Sequence, residues 1–223
     1  VHDSMRGAGS FDRALAGADA AMAAGVRVEF SCVVGRHNAG AVRELIDIVE
    51  ERRSSVVFQP VLSSLFIGRP RDGSAFELSP AACRQAFAQI EKEKRRTRAV
   101  GNGWSSLRHF RRFPADTPIP CAAGWIFATL DPEGVLFVCD QVDRVDRSNS
   151  VLRLGARAAF ARLDRRGCGQ CWCARLVEGN LQWGGRIDKM LPPLLHDKLK
   201  CRCRLVIRSR ARGEGKRSGE APK

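Results

Sequence analysis

Three cysteines fall within six residues in CGQCWC (168–173), and two more, Cys121 and Cys139, lie upstream. Thiols at such spacing can ligate a soft metal, pair as disulfides, or fill a core as small apolar groups. The Cys168-x-x-Cys171 knuckle lets two sulfurs face one ion, with backbone N–H groups directed at them. Together with Cys121 and Cys139 it makes a four-thiolate set, which suits either zinc or an iron–sulfur cluster; spacing alone does not choose. Cys173 is an alternative fourth ligand. The chain has nine cysteines, an odd number, and opens without the basic start and apolar core of a signal peptide. A reducing compartment and metal binding are therefore expected over a disulfide framework, and the chain reads as cytoplasmic. Cys32 and Cys83 sit on apolar faces and read as core residues. Cys201 and Cys203 lie in a basic tail and read as incidental.

The upstream pair needs an element that joins it. WIFATL and VLFV flank DPEG, with Asp131, Pro132 and Gly134 at turn positions that suit type I geometry. The spacing predicts a β-hairpin that starts just after Cys121 and ends at Cys139, so that the turn returns the second sulfur to the level of the first. A helix around 156–164 leads into CGQCWC, and an amphipathic segment over roughly 174–199 follows it.

Residues 10–98 show a different pattern. Ser10 reads as an N-cap, and Phe11, Leu15, Ala18 and Met22 make one helical stripe. VRVEFSCVV (26–34) alternates as a strand. Asn38 can cap a helix whose face is Val42, Leu45, Ile46 and Val49. SVVFQPVL (55–62) is a second strand, with Pro60 at its end or at a bulge. Ser79-Pro80 opens a third helix carrying Cys83, Phe87 and Ile90. Strands alternating with helices of this length imply parallel β/α units. Two such strands do not make a stable sheet alone, and the chain opens VHDSMRGAGSF without an initiator Met, so it reads as the later part of a longer, N-terminally truncated frame.

The stretch VHDSMRGAGSFDRALAGADAAMAAGVRVEFSCVVGRHN resembles the middle of a radical S-adenosylmethionine (radical SAM) enzyme, where an H-D-x-x-R-G-x-G-S-F element follows the fourth strand of a partial (β/α)6 barrel. CAAGWIFATLDPEGVLFVCD and CGQCWC are similar to the twitch or SPASM extension of that family. The resemblance covers about residues 1–70 and 119–195. It implies an α/β fold: the C-terminal part of a TIM-like barrel over 1–98, a connector over 99–120, and a small α+β twitch/SPASM domain with its hairpin over 121–197. A basic tail occupies 198–223. It further implies an auxiliary [4Fe–4S] cluster on Cys121, Cys139, Cys168 and Cys171, with Cys173 as the substitute ligand. Arg6 would meet the carboxylate of bound S-adenosylmethionine, and Val61 or Leu62 its adenine. A peptide or small molecule would be the substrate, and a flavodoxin or ferredoxin the reductant. The chain departs from the family in one decisive respect: it holds no Cys-x-x-x-Cys-x-x-Cys loop. Alone it is not expected to cleave S-adenosylmethionine.

Charge and composition narrow the remaining classes. The net charge is +14, and residues 198–223 hold ten Lys/Arg against two acids. That tail reads as a solvated extension rather than a nucleic-acid surface. No apolar run approaches a membrane span. His2, His37, His109 and His196 are scattered without ligand spacing. Arg108, Arg111 and Arg112 beside Trp104 and Phe110 read as a solvated helix face. No P-loop, dinucleotide fingerprint or hydrolase elbow is present. The rival to the enzyme reading is a zinc-ribbon protein whose basic surface binds nucleic acid; a third is a gene remnant without function.

Overall fold

The computed structural model describes residues 1–62, 74–115, 118–141, 146–165 and 171–183. It is a mixed α/β structure with two small sheets. Helices α1 (His2–Arg6) and α2 (Ser10–Ala23) precede strand β1 (Glu29–Val34), helix α3 (Val42–Glu51), strand β2 (Ser55–Pro60) and helix α4 (Pro80–Arg96). The two strands run parallel with Glu29 opposite Ser55 and Val34 opposite Pro60. A parallel pair needs a crossover, and α3 supplies it. Pro60 ends β2, where its missing N–H costs no ladder bond. Ser79 caps α4 by accepting the Ala82 N–H at 3.2 Å, with Pro80 behind it.

The start of the chain is held differently from the sequence reading. Ser10 is already inside α2, and the cap comes from Asp3 on α1. Its carboxylate accepts from the N–H groups of Gly9 (2.7 Å) and Phe11 (2.8 Å) and from the Ser10 hydroxyl (3.0 Å). Those two backbone donors lead in holding the Asp3 carboxyl down at about 2. Gly7 and Gly9 take φ of 98° and 69° to fold the loop back over that carboxylate. The His-Asp-x-x-Arg-Gly-x-Gly-Ser stretch thus has a local structural role in this chain. Asn38 also departs from its expected role: it accepts from Gly35 N–H at 2.8 Å and donates to Val33 C=O at 2.8 Å, so it folds the loop after β1 and makes no side-chain cap.

Within the stretch after α4, residues 99–113 pack on the sheet and its core. Val100 bridges Val56 in parallel, through Val56 N–H to Ala99 C=O at 2.7 Å and Gly101 N–H to Val56 C=O at 2.9 Å. Asn102 is fully buried and its amide pairs with both the N–H (2.7 Å) and the C=O (3.0 Å) of Phe58. Helix α5 (Trp104–Phe110) buries Leu107 and Phe110 and packs on α4. Among the described residues β1 pairs with β2 alone, so its other edge is open.

The second sheet is a hairpin of β3 (Thr129–Leu130) and β4 (Leu136–Phe137), followed by α6 (Val151–Leu154), α7 (Ala156–Ala161) and α8 (Ala174–Trp183). The DPEG turn forms at the predicted place: Gly134 N–H reaches Asp131 C=O at 3.1 Å, and Gly134 takes φ +78°. A type I turn closed by a left-handed glycine is the usual three-residue hairpin loop. Only the end of WIFATL, Thr129–Leu130, is strand. Gly124 at φ +77° turns the chain, and its N–H closes on Phe127 C=O at 2.7 Å. One continuous apolar cluster runs from Val34 and Phe58 through Phe87, Leu107 and Phe110 to Trp172, Val177 and Leu181. Helix α8 therefore belongs to the core of the parallel body. No helix among the described residues is long and apolar enough to cross a membrane.

Candidate metal centre

Cys139 follows the hairpin and lies within electrostatic reach of Cys121, whose charge is the least of the causes that raise the Cys139 thiol. Burial is the main cause of that rise, which carries the Cys139 thiol up to about 12; Asp140 adds to it. Against this, Gln141 N–H points at the Cys139 sulfur at 3.3 Å, and the thiol itself lies 3.5 Å from Asp140 Oδ1. The segment before the hairpin is fixed from α8: Ala122 N–H donates to Oδ1 of buried Asn180 at 2.8 Å.

Cys173 approaches from the other side. It is the residue before α8, and the backbone N–H groups of Leu176 and Arg175 act on its sulfur, as at a helix N-cap. Burial again dominates in raising its thiol, and the same Asp140 carboxylate contributes. Asp140 thus lies within electrostatic reach of both Cys139 and Cys173. The next residue, Ala174, donates its N–H to Gln59 Oε1 on β2 at 3.0 Å. That bond fixes the start of α8 on the parallel body.

Cys171 is placed differently. Its side chain is half-buried against the apolar core. Its carbonyl accepts from His109 Nε2 at 2.6 Å. His109 is buried and stacks on Trp172 with ring centroids 4.2 Å apart, while Phe113 meets the indole edge-on at 5.1 Å. Burial pushes the His109 imidazole below its ordinary pKa, so the neutral ring with an Nε2 proton is the form that fits this bond. Sequence reasoning passed over His109 because it lacks ligand spacing; its role is to hold the knuckle backbone.

Cys139 and Cys173 thus each feel the charge of Asp140, and Cys139 also that of Cys121. Cys168 lies outside the described residues, as do Cys201, Cys203 and His196. Among the described residues no three Cys, His, Asp or Glu side chains form a group that could by itself hold a metal ion. Buried thiols with raised pKa ionise only where a cation compensates them, and N–H groups directed at sulfur favour the ionised form. Cys32 and Cys83 match their reading as core residues. Both thiols are raised to about 11 by burial, and the Cys83 thiol donates to Phe110 C=O at 3.5 Å.

The residues expected at S-adenosylmethionine fall on separate elements. Arg6 is exposed on α1 and makes no hydrogen bond or ion pair among the described residues. Val61 N–H continues the ladder to Val34 C=O at 3.0 Å, and Leu62 packs against the core; both follow the C-terminal end of β2. Of the basic helix residues, Arg111 pairs with Glu91 at 3.0 Å. No protein-family model, curated protein or solved structure matches the chain.

Proposed function

We propose that this chain is the later part of a radical SAM-type enzyme and that its hairpin and knuckle hold an auxiliary iron–sulfur centre. The observation that supports the reading is that Cys139 receives the Gln141 N–H at its sulfur and Cys173 those of Arg175 and Leu176, with Asp140 within electrostatic reach of both. Consecutive parallel β/α units with an open β1 edge support the barrel half of the reading. In this reading Cys121, Cys139, Cys168 and Cys171 are the ligands, with Cys173 as the alternative fourth. The chain's own part is to bury the sulfurs, orient them through Gln141, Arg175 and Leu176, and hold the knuckle through His109. A bound cluster would supply electron transfer or a ligand site for substrate. A peptide or small-molecule substrate and a flavodoxin or ferredoxin reductant belong to the same reading. With no Cys-x-x-x-Cys-x-x-Cys of its own, this chain lacks the loop that cleaves S-adenosylmethionine.

The test is metal identity after anaerobic purification. A brown protein with roughly four irons and matching sulfide is the expected result. Cys139→Ala should lose iron, and whichever of Cys171→Ala and Cys173→Ala also loses it identifies the knuckle ligand. A colourless protein with one zinc would move the site to the zinc-ribbon reading. Iron retained in both Cys139→Ala and Cys173→Ala would end the proposal.

A further inference from the structure

Parallel strands bring their N-terminal ends to one side of a sheet, and with them the loops that enter each strand. Here three such loops meet: the one from α2 into β1, the one from α3 into β2, and the one from α4 to Val100. Each brings one arginine. Arg27 and Arg53 stand two residues before the paired Glu29 and Ser55, and Arg98 stands two before Val100, which pairs with Val56. Neighbouring strands lie ~4.8 Å apart, so the row spans roughly 10 Å of backbone. It borders an open cleft of about 1100 Å³.

The charges in that cleft are uneven. Its two acids are already engaged. Glu29 accepts from the Ser55 hydroxyl at 3.2 Å, and Glu50 accepts from the Thr97 hydroxyl at 2.8 Å and pairs with Arg96 at 3.5 Å. Arg96 is held as well by Glu93 at 2.8 Å. The side chains of Arg27, Arg53 and Arg98 make no hydrogen bond or ion pair among the described residues. Elsewhere in the same body Arg43, Arg52 and Arg111 are each paired with a carboxylate. Apolar side chains line the cleft as well: Met22, Val26 and Val28, of which Val26 is 56% exposed.

Arg53 carries a second signal. Helices α2 and α3 end in the same Schellman motif. After α2, Gly25 N–H bonds Met22 C=O (2.9 Å) and Val26 N–H bonds Ala21 C=O (3.0 Å). After α3, Arg53 N–H bonds Glu50 C=O (2.9 Å) and Ser54 N–H bonds Val49 C=O (3.1 Å). The residue at the turning point is left-handed in both, at φ +80° and +53°. Gly25 takes that backbone freely; Arg53 takes it against its own Cβ, and is the only non-glycine residue with positive φ among the described ones. Capping calls for glycine there. An arginine held in this conformation is accounted for by its side chain.

The geometry points to this cleft as a binding site for a small organic polyphosphate, its phosphates on Arg27, Arg53 and Arg98 and its apolar body against Met22, Val26 and Val28. Guanidinium groups match phosphate oxygens in planar, paired hydrogen bonds, and a row of three calls for several anionic groups in line rather than one carboxylate. The site is independent of the thiolates and of the reading built on them.

Calorimetric titration of the full chain at about 0.15 M salt tests it, a concentration at which exposed long-range charge effects are largely screened. The probes are ATP, inorganic tripolyphosphate and a single-stranded RNA oligomer. ATP should bind saturably and more tightly than tripolyphosphate. Arg53→Gly should melt no lower than wild type, because it relieves the left-handed arginine, yet bind ATP ~10-fold more weakly. Arg157→Ala, at an exposed position on α7, should bind ATP as wild type does. Arg27→Ala and Arg98→Ala give the same readout if Arg53→Gly fails to fold. Unchanged ATP affinity in all three cleft variants would assign any binding to the basic tail and overturn the site. Equal affinity for ATP and tripolyphosphate would remove the organic body. RNA binding that is tighter than ATP and lost in the cleft variants would make this a nucleic-acid surface instead.

Discussion

The parallel body and the hairpin unit are stabilised by different means. In the body, Val34, Ile46, Val49, Val56, Phe58, Phe87, Ile90, Leu107 and Phe110 are buried to 1% exposure or less and form one cluster. Each such side chain contributes about 1.5–3 kcal/mol on burial. The hairpin has two residues per strand, and a ladder that short is marginal in water. It is held by polar pins instead. Asp131 accepts from the N–H groups of Glu133 and Val135; Arg147 pairs with Asp131 and Glu133; Arg165 donates to Gly124 C=O at 2.9 Å. The sulfurs lie where these two kinds of structure meet. Cys121 and Cys139 come with the hairpin, and Cys173 comes with a helix rooted in the body. A centre bound there would link the weakly held unit to the strongly held one.

The largest predicted effect follows from the body. Phe58 lies at the middle of the core, and Phe58→Ala should cost about 3–5 kcal/mol. Against the usual 5–15 kcal/mol of a domain, that is a large share of the total. Chemical denaturation should show the loss in one cooperative transition, with the midpoint lowered for the α8 region as much as for α3 and α4. Separate transitions for α8 and the body would mean that the shared cluster does not couple them.

A smaller, local effect is expected in the hairpin. Gly134→Ala places a Cβ on a residue at φ +78°, at a cost of about 1–2 kcal/mol. The Cβ would also come within 2.8 Å of Leu152 Cγ, but Leu152 is exposed and can move aside. Amide exchange should accelerate at Val135, Leu136 and Val151, whose N–H groups are tied into this turn or its neighbours, and stay unchanged at Val56 and Phe58. Acceleration of equal size in both units would erase the difference between them.

The residues legible in the sequence were those governed by a period or a turn. Val42, Ile46 and Val49 recur at helical spacing, Pro60 ends a strand for want of an N–H, and DPEG announces its own hairpin. The link between Cys121 and Cys139 followed from that turn. Other features have no periodic trace. Asn102 stands in for a strand neighbour by pairing a side-chain amide with Phe58, and nothing around it alternates. Asp3 caps α2 from seven residues before its first turn, through two glycines, whereas local rules assign the cap to Ser10. WIFATL has strand-like composition, but Gly124 and its bond to Phe127 turn the chain, and only Thr129 and Leu130 at its end join a ladder. Among the knuckle cysteines, spacing favoured the Cys168–Cys171 pair, while three-dimensional placement puts Cys173 at a helix start facing Asp140 and Cys171 against the core. The choice between them depends on where α8 is rooted, and that is fixed by Trp172, Val177 and the Ala174–Gln59 bond, all of them distant in sequence from their partners.

The smallest predicted effect tests that root directly. Glu178 on α8 accepts the Gly103 N–H at 2.7 Å and faces Lys94 and Glu29 across the seam with the body. Burial raises its carboxyl above the ordinary value, outweighing the Gly103 bond. The folded chain therefore holds a proton on Glu178 at pH values where the unfolded chain, with a carboxyl near ~4.3, has released it. In that window folding takes up a proton, so this group's contribution to stability falls as pH rises from ~4.3 through the raised folded value. Glu178→Gln keeps an oxygen for Gly103 and removes the titration. Its melting temperature should decline less than that of wild type from pH 4.5 upward. Burial also lowers the Lys94 ammonium pKa, and Lys94 donates to Val100 C=O at 2.9 Å; this residue is the same in both proteins compared. Parallel pH profiles for the two proteins would place Glu178 in solvent and detach α8, and Cys173 with it, from the parallel body.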